Sequence, residues 1–179
     1  MSRVRLIYNG RAEVVGNDSM AIAMLTDTEE ERAISVICDG AMKYQLWLRD
    51  HPERCCSLLP EVLLKMMSSQ IDMDACEINI SGIAAGEYRT TIMNMETLDI
   101  QQIRLSDAVL LARISGMPIY IDADLMRRQS FPYKENIGRM AIPINTLSTK
   151  RLHEVLDKAV EDEDYRLAAF VKEELDKRD

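Results

Sequence analysis

The sequence predicts an α+β fold: a mixed, mainly antiparallel sheet with packed helices, followed by a C-terminal αα-hairpin. Three observations predict it. Short apolar runs separated by turn residues recur through the first two thirds of the chain. Helix starts interrupt them at Pro60 and at Ser106-Asp107. From Ser148 onward the apolar residues switch to helical spacing.

Residues 3–8 and 20–25 read as strands, with turn chemistry between them at Asn9-Gly10 and Gly16-Asn17-Asp18. Alternation puts Arg3 and Arg5 on one strand face. The acidic stretch Asp27 to Glu31 reads as a hairpin loop before a third strand at 33–38. After Asp39-Gly40, Met42, Leu46 and Trp47 recur at helical spacing, and Pro52 ends that helix. Pro60 suits a first helical turn, with Glu61 at its positive end and Leu63, Leu64, Met66 and Met67 continuing it.

Residues 75–82, 87–95 and 97–104 read as three strands, with a turn in Gly82 to Gly86. Ile103 and Leu105 fall out of phase with Leu98 and Ile100, which predicts a bulge near Gln101-Gln102. Ser106-Asp107 caps a helix over Ala108 to Ile114, which Gly116 and Pro118 terminate. A short strand at 118–121 and a short helix from Asp122 to Arg128 follow. Residues 129–146, with Pro132 and Pro143, read as a linker or arm. The expected division is therefore a domain over 1–128, the arm, and a hairpin over 147–179. The hairpin's stripe (Leu152, Val155, Leu156, Ala159, Val160, then Tyr165, Leu167, Ala168, Val171, Leu175) exceeds what two helices bury between them. It should dock on its own domain or on another helical hairpin.

Composition bounds the function. At 47% hydrophobic and 29% charged, the chain is globular rather than disordered. Aromatics make up 5% against 12 methionines, so aliphatic residues and Met must build the core. A net charge of −8 opposes a large nucleic-acid surface, because such binding rests on phosphate neutralisation, though a local basic groove stays open. No apolar run approaches the ~20 residues that cross a membrane. The N-terminus lacks a signal-like apolar segment. Four cysteines without such a signal imply reduced thiols and a cytoplasmic setting.

The stretch Arg104-Leu-Ser-Asp-Ala-Val-Leu-Leu-Ala-Arg-Ile-Ser-Gly-Met-Pro-Ile-Tyr120 resembles the signature of the bacterial bifunctional nuclease family, R-x-S-D-A-I-A-L-A-x-R-x-x-x-P-I-Y. Arg113 falls beside the usual Arg. The likeness spans roughly residues 3–128. The C-terminal segment, with Leu156 to Tyr165, Ala168-Ala169 and Glu173-Glu174-Leu175, resembles a UVR motif, the helical hairpin at the end of UvrB and within UvrC. The chain departs from the family at two places. Ile37-Cys38-Asp39-Gly40-Ala41-Met42 stands where I-G-x-x-E-A is usual, and Ser57-Leu58-Leu59-Pro60-Glu61-Val62 where P-L-T-H-D-L is usual. These mark a divergent member whose scaffold is better kept than its polar face.

The resemblance implies a metal-assisted phosphodiesterase acting on DNA and RNA. Arg104 would clamp phosphate. Asp107 would serve a Mg²⁺ or Mn²⁺ ion or a water, with Asp39 and Glu61 assisting. Ser106 completes the cluster, and Tyr88 and Tyr120 are candidates for stacking bases. Each has a plainer role: Ser106 and Asp107 as caps, Arg104 as their ion partner, Asp39 and Glu61 as acids at helix starts, and the tyrosines as packing. Two basic sets could line a groove: Arg3, Arg5 and Arg11, or Arg127, Arg128, Lys134 and Arg139. A zinc site at His51 and Cys55-Cys56 lacks a C-x-x-C pair. His153 is the only other imidazole. Cys38, Cys55 and Cys56 carry a weaker reading as a nucleophile or redox sensor. The alternative to an enzyme is a scaffold or adaptor, self-associating as a homo-oligomer. It would recruit a hairpin-bearing partner through Leu156, Tyr165, Leu167 and Val171. The acidic run Glu161 to Asp164 reads as a solvated turn.

Overall fold

The computed structural model describes residues 2–51, 58–84, 86–134, 138–141, 144, 147 and 149–176. Pro52, Cys55, Cys56, Ser57, Pro143 and Ser148 lie outside them. The fold is α+β, and nine strands and six helices are described.

Strands β1 (Arg3–Val14), β2 (Asn17–Thr26) and β3 (Arg32–Cys38) form an antiparallel meander. Helices α1 (Gly40–Arg49) and α2 (Leu59–Met67) follow. A second meander, β4 (Cys76–Ala84), β5 (Glu87–Asn94) and β6 (Ile100–Ile103), leads into α3 (Leu105–Ser115). This helix crosses over to β7 (Ile119–Asp122), which lies parallel to β4, with Ile78 opposite Ile119 and Ile80 opposite Ile121. Helix α4 (Ala123–Gln129), β8 (Phe131–Pro132) and β9 (Arg139–Met140) complete the body. The chain ends in α5 (Thr149–Glu161) and α6 (Tyr165–Asp176). No helix among the described residues is long and apolar enough to cross a membrane.

The strand order is β6-β5-β4-β7-β1-β2-β3-β8, with β9 parallel to the end of β1. Strand β1 joins the two meanders, because Arg3 to Leu6 pair with β7 and Ile7 onward with β2. The expected turn at Asn9-Gly10 is instead an irregularity within β1, where Gly10 takes φ 84°. The chain reverses only at Val15-Gly16.

Strand β2 is buried along residues 21–26 because both of its faces are covered. Ala21, Ala23 and Leu25 join the main core under α1 and α3, with Ile34, Leu46, Ile78, Ile121 and Val109. Ile22 and Met24 face a smaller core that Phe131, Tyr133 and Met140 cover. The segment after residue 128 thus folds back to close the second face of the sheet. That two-sided burial is why 20–25 is a continuous apolar run rather than an alternating one. Each such aliphatic side chain contributes about 1.5–3 kcal/mol.

Two local expectations are corrected. No bulge occurs at Gln101-Gln102, since Ile100 to Ile103 pair in step with Met93 to Thr90. The phase break arises because Leu98 sits in a turn at φ 60° and Leu105 already belongs to α3. The register shift lies instead between Ile80 and Gly82. Secondly, the N-cap of α3 is Arg104, not Ser106-Asp107, and no side chain caps it. Gly116 ends that helix in the left-handed conformation, φ 79°, as Gly at that position permits.

Candidate functional site

Two helix N-termini meet at Arg104. Asp39 caps α1, its Oδ1 accepting from the Met42 N–H at 2.8 Å. Its Oδ2 lies 3.7 Å from Arg104 Nη1. Arg104 leaves β6 in an extended conformation, and its side chain runs forward along the first turn of α3. There Nε donates to Asp107 Oδ2 at 2.7 Å and Nη2 to Oδ1 at 3.1 Å. Asp107 sits in the first helical turn, where exposed N–H groups favour an anion. The hydrogen bond and charge of Asp107, then the charge of Asp39, hold the Arg104 guanidinium above its ordinary range. It is a permanent cation flanked by two carboxylates, and its side chain stays largely exposed.

Beside it is a cavity of about 270 Å³ lined by Ser35, Val36, Ile37, Tyr88, Arg104 and Ser106, among others. Strands β3 and β5 are not neighbours in the sheet, and the start of α3 brings them to one cavity. The Tyr88 Oη is buried without a hydrogen-bond partner among the described residues. Burial pushes its phenol well above the usual range. A buried hydroxyl of that kind is a site that a ligand or water can satisfy.

Arg104, Ser106, Asp107, Asp39 and Tyr88 therefore come together, while Glu61 and Tyr120 do not. Glu61 accepts from Arg49 Nε at 2.8 Å and Nη2 at 2.9 Å. Tyr120 lies on the opposite sheet face from buried Ile119 and Ile121, with the Arg3 guanidinium 4.6 Å from its ring centroid. Arg3 is itself bonded to Glu77 and, at 2.9 Å, to Asn79. Among the described residues no group of three or more His, Cys, Asp or Glu could hold a metal ion. The expected convergence of Asp39, Glu61 and Asp107 is not formed, because Arg49 takes the third acid. Among the described residues, Asp39 and Asp107, each engaged with Arg104, do not make the converging carboxylate centre that Mg²⁺ or Mn²⁺ needs.

The other candidates disperse. Arg11 pairs with Asp50 at 3.2 Å, and Arg127 with Asp124. His51 Nδ1 bonds the Trp47 carbonyl at 2.8 Å. Cys38 is buried, and desolvation pushes its thiol up to about 11, which opposes a nucleophilic or redox role. Cys55 and Cys56 lie outside the described residues.

In the hairpin, Leu152 and Val171 are fully buried, with Leu156 and Leu167 packed beside them. Val171 thus holds the two helices together rather than facing a partner. Tyr165 is exposed, and so are Val160 and Phe170. Helical periodicity marks the stripe but not which part of it faces outward, and Phe170, off the stripe, is exposed as well. Ser35 was missed, since nothing local marks a strand serine as lining a cavity.

A family model described as a bifunctional nuclease domain matches residues 23–134, more than half of the chain. The match runs from β2 through β8 and contains the whole Arg104 cluster. No curated protein matches the chain.

Proposed function

We propose, from the premise that this chain belongs to the bifunctional nuclease domain family, that it hydrolyses DNA or RNA phosphodiester bonds at the Arg104 cavity. The observation that carries this reading is the meeting of Arg104, Ser106 and Tyr88 on one cavity, with Asp107 fixing the guanidinium. Asp107 occupies the Nε–Nη2 edge of Arg104, so a phosphate oxygen would bind at Nη1, displacing the looser contact that Asp39 Oδ2 makes there at 3.7 Å. Ser106 would bond the phosphate or sugar, and the Tyr88 hydroxyl, closed to solvent and without a partner among the described residues, would join it once substrate opens a path to it. Asp39 would orient the attacking water through Oδ2. The free thiols of Cys38 and Cys76 support a reducing, cytoplasmic setting.

The test is cleavage of single- and double-stranded DNA and RNA by the full chain, with Mg²⁺, Mn²⁺ or EDTA, beside Arg104→Ala. Loss of cleavage in Arg104→Ala supports the assignment. Absence of cleavage in every condition, or undiminished cleavage by the variant, overturns it.

One arrangement favours a second reading, that of a non-catalytic adaptor. Arg104 between Asp39 and Asp107 leaves a net negative cluster, which repels a polyanion. The UVR-like hairpin, outside the family match, presents Val160, Tyr165 and Phe170 to solvent for a helical-hairpin partner. Capture of such a partner that Phe170→Ala abolishes, in a chain without nuclease activity, would favour this reading.

A further inference from the structure

Helix α1 carries an aromatic ladder on the face turned away from the core. Tyr44, Trp47 and His51 recur at i, i+3 and i+7, while Met42, Leu46 and Arg49, on the other side, are buried. The Tyr44 and Trp47 rings stack, with 5.9 Å between centroids and 18° between planes. The His51 ring backs Trp47 at 4.6 Å, and its Nδ1 bonds the Trp47 carbonyl at 2.8 Å, which fixes that end of the ladder. Tyr44, the outermost rung, is 56% exposed. A ring so placed adds little to the core and presents its π surface to solvent.

We propose that this ladder is a base-stacking platform for single-stranded DNA or RNA, with Tyr44 as the rung that a base of the strand meets. The inference rests on the nucleic-acid reading of the Arg104 cavity and extends it along α1. Side chains on a helix lean towards its N-terminus, so the side of Tyr44 away from Trp47 looks over the first turn. There Gly40 has no side chain and Ala41 a single carbon, and both are exposed, which leaves room for a base. The same turn starts at Asp39, whose Oδ2 lies 3.7 Å from Arg104. From Asp39 to Tyr44 the helix rises about 7.5 Å. That is about two nucleotides at the roughly 3.4 Å rise of a stacked strand. A strand with one phosphate at Arg104 can therefore set a neighbouring base on Tyr44.

The charges beside the ladder suit a polyanion. Gly40, Ala41, Tyr44, Trp47 and His51 include no carboxylate, in a chain whose net charge is −8. At the His51 end, Asp50 is met by two guanidiniums, Arg11 at 3.2 Å and Arg113 at 3.4 Å, so the trio is net positive. Lys43 reaches the Asp18 carbonyl at 2.8 Å, a neutral acceptor that leaves the ammonium charge at the flank. Stacking tolerates any base, because every base has a π face. A duplex keeps its bases inside the stack, so the platform selects single strands.

Trp47 is the only tryptophan in the chain, so its emission reports on the ladder directly. The experiment titrates the full chain, in EDTA, with an oligothymidylate of about 12 nucleotides, a length such platforms cover. Concentrations run from about 1 to about 500 μM, the range of non-specific nucleic-acid affinity. A duplex of equal length is the comparison, and a gel checks that the strands stay intact. The single strand should quench Trp47 and the duplex should not. Tyr44→Leu should weaken binding about tenfold, the loss of one base stack, while Tyr44→Phe keeps the ring and should bind as the wild type does. Circular dichroism melts check that both variants fold, and fluorescence anisotropy of a labelled strand gives the same affinities without relying on Trp47. Quenching in a chain that cleaves nothing would support the platform and overturn the catalytic reading alone. Absence of quenching by the single strand overturns the proposal. So does equal quenching by the duplex, or an affinity that Tyr44→Leu leaves unchanged.

Discussion

Arg104 and Asp107 close a two-pronged ion pair across the first turn of α3, at 2.7 and 3.1 Å. The pair fixes a guanidinium at the mouth of a cavity rather than inside the core. Its geometry matters for recognition, while its exposure makes it nearly irrelevant to folding.

Asp107→Ala should therefore lower cleavage by roughly 10- to 100-fold, as expected when a charged donor loses its orienting partner. The melting temperature should change by less than about 3 °C. Steady-state rates and a thermal melt on the same sample check both. A large stability loss with unchanged rates would make the pair structural.

Tyr88→Phe removes a hydroxyl that is buried without a partner among the described residues. The free protein should be as stable, or more stable by about 1 kcal/mol, because an unsatisfied polar group disappears. Substrate binding should weaken about tenfold if that hydroxyl bonds the substrate. Urea titration and KM together report the two effects, and a destabilised variant would mean that the hydroxyl is already satisfied.

Gly40 opens α1 against β2. A Cβ there would stand 2.9 Å from the Ser19 carbonyl oxygen, a backbone atom that cannot yield cheaply. Gly40→Ala should cost about 1–3 kcal/mol. It should also disturb Asp39, the cap beside it. Chemical denaturation measures the cost, and an unchanged midpoint would refute the clash.

The Cys38 thiol has its pKa raised to about 11 from an ordinary 9.0 by burial. The folded state holds this proton more tightly than the unfolded state. The stabilisation is complete below the unfolded value and is lost as pH rises from about 9 through about 11. Stability should fall over that window. In Cys38→Ala the fall should be shallower, though removal of the side chain lowers the baseline. At pH 8, iodoacetamide should leave Cys38 unlabelled in the native protein and modify it in urea. Rapid native labelling would contradict its burial.

The secondary structure was largely legible because it rests on local periodicity and punctuation. The runs at 20–25, 33–38 and 75–82, Pro60 in a first turn and Gly116 after a last one each state their conformation within a few residues. The Arg104–Asp107 relationship was legible too, since i and i+3 meet on a helix. What failed locally was phase. Alternation carried past Ile103 cannot tell a bulge from a helix that has already begun at Leu105.

The sequence by itself determined the α+β class, most element types outside residues 129–146, and the cluster of residues adjacent along the chain at Arg104, Ser106 and Asp107. The tertiary structure alone decided which distant groups join that cluster. It brought Asp39 and Tyr88 to Arg104, gave Glu61 to Arg49, and put Tyr120 under Arg3 on the other sheet face. It also turned the apolar face of α2 outward and buried Val171 inside the hairpin. The reason is physical: periodicity fixes which residues share a face, but the surface that face meets depends on contacts between segments far apart in the chain.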